Sequence, residues 1–134
     1  MNDNPRIIEL PKILDKRGNL SFLEFPGQIP FEIFRTYWIY DVPGGEVRGS
    51  HAFKEQLEFI IALSGSFDVI LHNGTEEIKY ALNRSYYGLY VPKMHWRRME
   101  NFSTNSLALI VSDRGYEESD YIRNFEDFKT SKNV

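Results

Sequence analysis

One stretch of this chain spaces chemically able residues at meaningful intervals. Gly45 is followed by His51, Phe53, Glu58 and Gly65. Residues two apart on a strand point to the same side, so positions 51 and 53 share a face, and Glu58 arrives on the next strand. An imidazole and a carboxylate are ligands that borderline and hard divalent metals accept. The imidazole is also the side chain that titrates nearest neutral pH. Further along, Arg97 stands between Pro92, Met94 and Asn101. The plain alternative is that His51 and Glu58 form a hydrogen-bonded pair inside a non-catalytic core.

The elements that must hold these residues read as strands. Phe31 to Val42 alternates, with Phe31, Ile33, Arg35, Tyr37 and Ile39 predicted on one face. Leu57, Phe59, Ile61 and Leu63 alternate with Glu58, Ile60 and Ala62. Phe67, Val69 and Leu71 lead into Asn73-Gly74, the strongest short hairpin signal. Ile78 to Leu82, Gly88 to Val91 and Leu107 to Val111 complete the series. Short strands punctuated by turns predict a sandwich or barrel. Only the end departs from this pattern: Ser119 is predicted to cap a short helix carrying Tyr121, Ile122, Phe125 and Phe128. We expect one all-β domain over residues 1–134, with a polar tail at Thr130 to Val134.

Composition narrows the function classes. The 134 residues carry 16 basic and 19 acidic side chains, a formal charge of -3, which disfavours nucleic acid as partner. Cysteine is absent, so neither disulfides nor thiolate metal sites are available. No apolar run approaches a membrane span, and the polar start, Met1 to Pro5, lacks a signal-peptide core. A cytoplasmic protein is expected. Aromatic residues make up 15%, which fits a strand-rich core or a pocket walled by rings.

The interval from Gly45 to Gly65 resembles the first cupin motif, and Pro92, Met94, Arg97 and Asn101 resemble the second. In cupins, positions 51, 53, 58 and 97 would hold a metal. Here Phe53 and Arg97 replace two histidines, leaving too few ligands, and the guanidinium would repel the ion. His95, two residues from the lost ligand, could be a substitute. Other segments are more specific: Asp15-Lys16-Arg17-Gly18-Asn19-Leu20, Arg35 to Tyr40, Arg48-Gly49-Ser50-His51-Ala52, Gly88 to Pro92, and Asp120-Tyr121-Ile122-Arg123. In order and spacing these resemble the cupin-type dTDP-4-keto-6-deoxyhexose 3,4-ketoisomerases, the WxcM-like sugar isomerases.

That resemblance implies an RmlC-like jelly roll with a short C-terminal helix. It also implies a dTDP-linked keto-deoxysugar substrate, no metal or other cofactor, and a role in deoxyamino-sugar synthesis for cell-surface polysaccharide. A homodimer with exchanged N-terminal strands is implied too, Ile7, Ile8 and Leu10 being candidates. Moving a ketone from C4 to C3 passes through an enediol. The site then needs a base, a proton donor and stabilisers of an enolate. His51 would be the base, Tyr37 the donor or relay, and Arg17 and Arg97 would hold sugar oxygens or the enolate. Arg48 suits a pyrophosphate, Glu58 would orient His51, and Tyr90 or Trp38 would stack on thymine. Phe53 stands where the family carries a second histidine, so it either removes a proton carrier or reshapes the pocket. Arginine at both 17 and 97 mixes the galacto-forming and gluco-forming patterns; we lean to the galacto product. Alternatives are an altered nucleotide-sugar-binding cupin, a metal-dependent cupin enzyme and a 3,5-epimerase.

Overall fold

The computed structural model describes residues 3–133. Met1 and Asn2, at the expected polar start, and Val134 at the tail lie outside them. Among the described residues, twelve short strands, a one-turn 3-10 helix (Glu118–Asp120) and one α-helix follow one another. They are β1 (Arg6–Glu9), β2 (Lys12–Ile13), β3 (Leu20–Ser21), β4 (Arg35–Tyr40), β5 (Arg48–Phe53) and β6 (Glu58–Ser64), then β7 (Phe67–His72), β8 (Glu77–Leu82), β9 (Tyr87–Val91), β10 (Trp96–Glu100), β11 (Leu107–Ser112), β12 (Tyr121–Ile122) and α1 (Phe125–Lys132). One five-stranded antiparallel sheet has the order β1-β9-β6-β11-β4 and faces another ordered β12-β5-β10-β7-β8. β2 and β3 form a separate two-stranded ribbon.

The period-two pattern sorts side chains as read from sequence. Ile60, Ala62, Val69, Leu71, Leu89, Met99 and Ile110 point inward and fill the barrel. β6 is buried on both faces because Phe59 and Ile61 meet a second layer made by Leu10, Ile29 and Phe31. Burial of such a side chain is worth roughly 1.5–3 kcal/mol. Here the structure corrects one expectation. Phe31 and Ile33 precede β4 and pack on the outer layer, whereas Tyr37 and Ile39 pack on the barrel interior. The continuous alternation hides a change of side between residues 33 and 35.

The chain's end is also corrected. Ser119 caps nothing, because Tyr121–Ile122 is a strand pairing with Phe53 and Ala52 of β5. The helix begins only at Phe125, with Asn124 as its cap accepting from the Asp127 N–H at 3.0 Å. It runs through most of the stretch read as a tail and covers Ala52 and Trp96 with Phe128. His72, beside the Asn73-Gly74 turn, is half-buried and edges onto Phe125 at 5.0 Å.

Candidate active site

Four strands bring their inward side chains together at one end of the barrel. Register pairs Arg97 of β10 directly with His51 of β5. Glu58 opens β6 opposite Ser112 of β11 and Val91 of β9. Tyr37 comes from β4, opposite Ile110. Gly49 makes room: at φ 69 it lies in the left-handed region, and a Cβ there would collide with Nη1 of Arg97.

Glu58 is the hub. Its Oε1 accepts from Arg97 Nε at 2.7 Å, and its Oε2 accepts from the Tyr37 hydroxyl at 2.5 Å and from Gln56 Nε2 at 3.0 Å. Arg97 Nη2 also donates to the Tyr37 hydroxyl at 3.0 Å. Burial works against the Arg97 charge, but Glu58 and Tyr37 outweigh it and raise its pKa. Burial first, and then Glu58, raise the Tyr37 pKa, so the phenol keeps its proton.

His51 stands apart from that network. Its ring meets Phe53 at 4.8 Å and Tyr121 at 4.9 Å, both edge-on. Among the described residues, its buried Nε2 finds no hydrogen-bond partner. Burial, then the guanidiniums of Arg97 and Arg123, push its pKa down to about 2. It is therefore a neutral imidazole with an idle nitrogen, the state a general base requires. The expectation that Glu58 orients His51 is not met, because the hydrogen bonds of Glu58 go to Arg97, Tyr37 and Gln56.

A cleft of about 310 Å³ opens over these groups, lined by Tyr37, Trp38, Arg48, His51, Arg97 and Arg123 among others. Five of the sequence-predicted site residues thus line one hollow. Glu58 and Phe53 lie at its base, Phe53 with its ring 5.9 Å from the Arg97 guanidinium. Three are elsewhere. Tyr90 shares the outer parity of β9, and its hydroxyl donates to Asp3 at 2.9 Å. His95 precedes β10, bonds to the Lys93 carbonyl and borders a different hollow with Ile78 and Tyr80. Met94 just before it turns with φ 59, so His95 does not share a face with Arg97 two residues on and cannot substitute for the lost ligand.

Arg17 is exposed between β2 and β3, paired with Asp15 at 2.7 Å. That ribbon lies near Tyr86, over whose ring Lys12 sits at 4.4 Å. β9 then runs from Tyr87 to Val91, and only Val91 faces Glu58. The ribbon and the cleft therefore occupy opposite ends of this sheet.

Sequence reasoning missed Tyr121 and Arg123. Their spacing by two, within the segment Asp120 to Arg123, was the available signal. Asp120 fixes them: its carboxylate accepts from the backbone N–H of Glu55 at 2.8 Å and of Gln56 at 3.1 Å.

The cupin metal arrangement does not fit these residues. The fourth ligand position is a guanidinium already paired with Glu58, and the second is a phenyl ring. Among the described residues no three His, Cys, Asp or Glu side chains gather as a metal site.

Comparison with known proteins agrees with this geometry. The chain is 38% identical over 124 residues to a TDP-4-oxo-6-deoxy-alpha-D-glucose-3,4-oxoisomerase of Aneurinibacillus thermoaerophilus, covering 92% of this chain and 89% of that one. It superposes with a TM-score of 0.95 and 33% identity on a histidine-to-asparagine variant of the 3,4-ketoisomerase QdtA from Thermoanaerobacterium thermosaccharolyticum, in complex with TDP-4-keto-6-deoxyglucose, over 99% of this chain and 96% of that one. A dTDP-4-dehydrorhamnose 3,5-epimerase of Bacillus anthracis shares the fold alone, at 16% identity and a TM-score of 0.77, over 88% and 77% of the two chains. The family profile described as FdtA: WxcM-like, C-terminal matches residues 3–133, and the chain belongs to that family.

Proposed function

We propose that this chain is a nucleotide-sugar 3,4-ketoisomerase that converts dTDP-4-keto-6-deoxyglucose to a dTDP-3-keto-6-deoxyhexose. One observation carries the reading: a neutral, buried imidazole with a free Nε2 faces the same cleft as a Tyr37–Glu58–Arg97 network. Nε2 of His51 takes the C3 proton, which the C4 ketone acidifies. Negative charge then develops on the C4 oxygen. Arg97, held fixed by Glu58, supplies a preorganised positive group without reorganisation. Tyr37, held by Glu58 and Arg97, gives its proton to the C4 oxygen and takes the C3 hydroxyl proton in return. The protonated His51 exchanges its proton with water and delivers one to C4, and loss of the C3 hydroxyl proton leaves the ketone at C3. No metal takes part in these steps, since Arg97 and Phe53 hold the positions a metal would need.

Arg48, exposed on the rim, binds the pyrophosphate; Trp38 alternates with the inward Tyr37 and Ile39, so its ring turns to the outer face rather than to a base in the cleft. Phe53 supports a second reading on one point: an aromatic ring in place of a titratable one favours a different keto-sugar on the same nucleotide. We place the protein in the cytoplasm; no helix of the described residues is long and apolar enough to cross a membrane.

We further infer a homodimer. Ile13, Leu14 and Leu20 are exposed on the β2–β3 ribbon, and Trp38, Tyr40 and Leu63 on the outer face of the first sheet. A lone two-stranded ribbon is marginal in water, and an exposed apolar patch favours association. Within one chain β1 pairs with β9. Exchange of the N-terminal segment with a second copy would carry Arg17 toward the partner's cleft. NMR of the product formed in deuterated water tests the activity. The ketone should move to C3 with deuterium gained at C4; a ketone left at C4 would refute it.

A further inference from the structure

Charge is unevenly shared in the cleft. On its floor, Arg97 is already neutralised by Glu58, both side chains being almost solvent-free. On its rim, Arg123 is held differently. Its guanidinium lies 4.1 Å from the centre of the Tyr121 ring. Nε meets Glu118 Oε1 at 2.7 Å and Nη2 meets Oε2 at 2.9 Å, a two-pronged grip on a carboxylate. The Tyr116 hydroxyl adds a third contact to Glu118 at 2.5 Å. Both charged side chains remain half exposed, at 53% and 57%. Because water reaches both partners, this ion pair can exchange its anion without leaving a buried charge. A planar guanidinium grips a phosphate in the same two-pronged way, and a diphosphate brings more charge than a carboxylate.

We propose that Arg123 is a diphosphate-binding residue of this cleft and that Glu118 is its built-in competitor, displaced when a nucleotide diphosphate arrives. The proposal rests on the nucleotide-sugar reading above. Tyr121 serves as the platform: its ring supports Arg123 on the rim and touches both His51 and Phe53 on the floor. The Asp120 carboxylate pins that platform to the backbone ahead of β6. Arg123 therefore has a fixed base from which only its guanidinium must change partner. With Arg48 at the start of the neighbouring strand β5 and lining the same cleft, two cations are then available to one diphosphate.

Calorimetric titration of the full chain with TDP and with thymidine tests this. Arg123→Gln should weaken TDP binding about ten-fold or more and leave thymidine binding unchanged, and Arg123→Lys should fall between. Glu118→Gln should tighten TDP binding several-fold by removing the competitor. Wild-type TDP affinity in Arg123→Gln, or a Glu118→Gln variant no tighter than wild type, would overturn the proposal. A wild-type chain that binds no TDP would overturn the nucleotide-sugar reading itself, and this proposal with it.

Discussion

Arg97 donates to Glu58 at 2.7 Å from the two positions where a cupin carries its third and fourth metal ligands. The pair converts a metal cage into an electrostatic fixture. A cation remains at the centre of the site, but it is covalently part of the chain and cannot be exchanged. Glu58 uses one oxygen to hold it and the other to accept the Tyr37 hydroxyl hydrogen bond.

Breaking that pair from one side should be costly. Glu58→Gln leaves a buried guanidinium without its counter-charge, and such losses run to about 3–5 kcal/mol. Arg97→Met alone should do similar harm. The double variant should recover most of the stability, because it leaves no unpaired charge. Urea denaturation of the three variants measures this. Additive losses in the double variant would show that the two residues are not coupled.

Stability should depend on pH through His51. An unfolded imidazole titrates near 6.5, whereas the folded one is depressed to about 2. Below pH 6.5 the unfolded chain takes up a proton that the folded chain refuses, so stability falls as pH falls toward 2. The slope from this group is at most about 1.4 kcal/mol per pH unit. His51→Asn should flatten the decline between about pH 6.5 and 4. Parallel curves for wild type and variant would remove the assignment. In the free protein, kcat/KM should accordingly show no acid limb from His51 near pH 6.5.

Much of the site was legible in strand parity. His51 and Phe53 share a face because they are two apart, and Tyr37 faces inward for the same reason. The rest needed information that parity does not hold. Tyr121 and Ile122 fit helical spacing with Phe125 and Phe128, and only pairing to β5 makes them a strand. His95, two residues from position 97, misses the site because sequence does not reveal the left-handed turn at Met94. Glu58 was paired with His51 because both belong to one motif. In space, the carboxylate meets the arginine that replaced a ligand, and a guanidinium with several donors wins it.

Turnover should depend on His51 far more than ligand binding does. We expect His51→Asn to lose about 10² to 10⁴ in rate, while TDP affinity stays near wild type, because the imidazole contacts no rim cation. A variant retaining wild-type kcat would take His51 out of the mechanism.

Placing a histidine at position 53 should not create a metal site. In Phe53→His the second imidazole would stand beside Arg97, whose charge disfavours a divalent ion. We expect the purified variant and wild type to hold less than stoichiometric metal and to stay active in chelator. Chelator-sensitive turnover regained on adding a divalent metal would refute the metal-free reading.

Arg17 supplies the sharpest test of the dimer. It sits on an exposed ribbon at the end of the sheet opposite Glu58, so it serves the chemistry only if a second chain carries it there. An exchanged segment in a two-fold dimer gives each cleft its His51 from one chain and its Arg17 from the other. Arg17→Ala and His51→Asn should each be impaired alone. Co-refolded from denaturant, they should form mixed dimers in which one cleft holds both native residues. Activity should therefore reappear on mixing, and it should scale with the fraction of mixed dimer seen by native mass spectrometry. Mixed dimers that stay as inactive as their parents would show that Arg17 does not act across the interface.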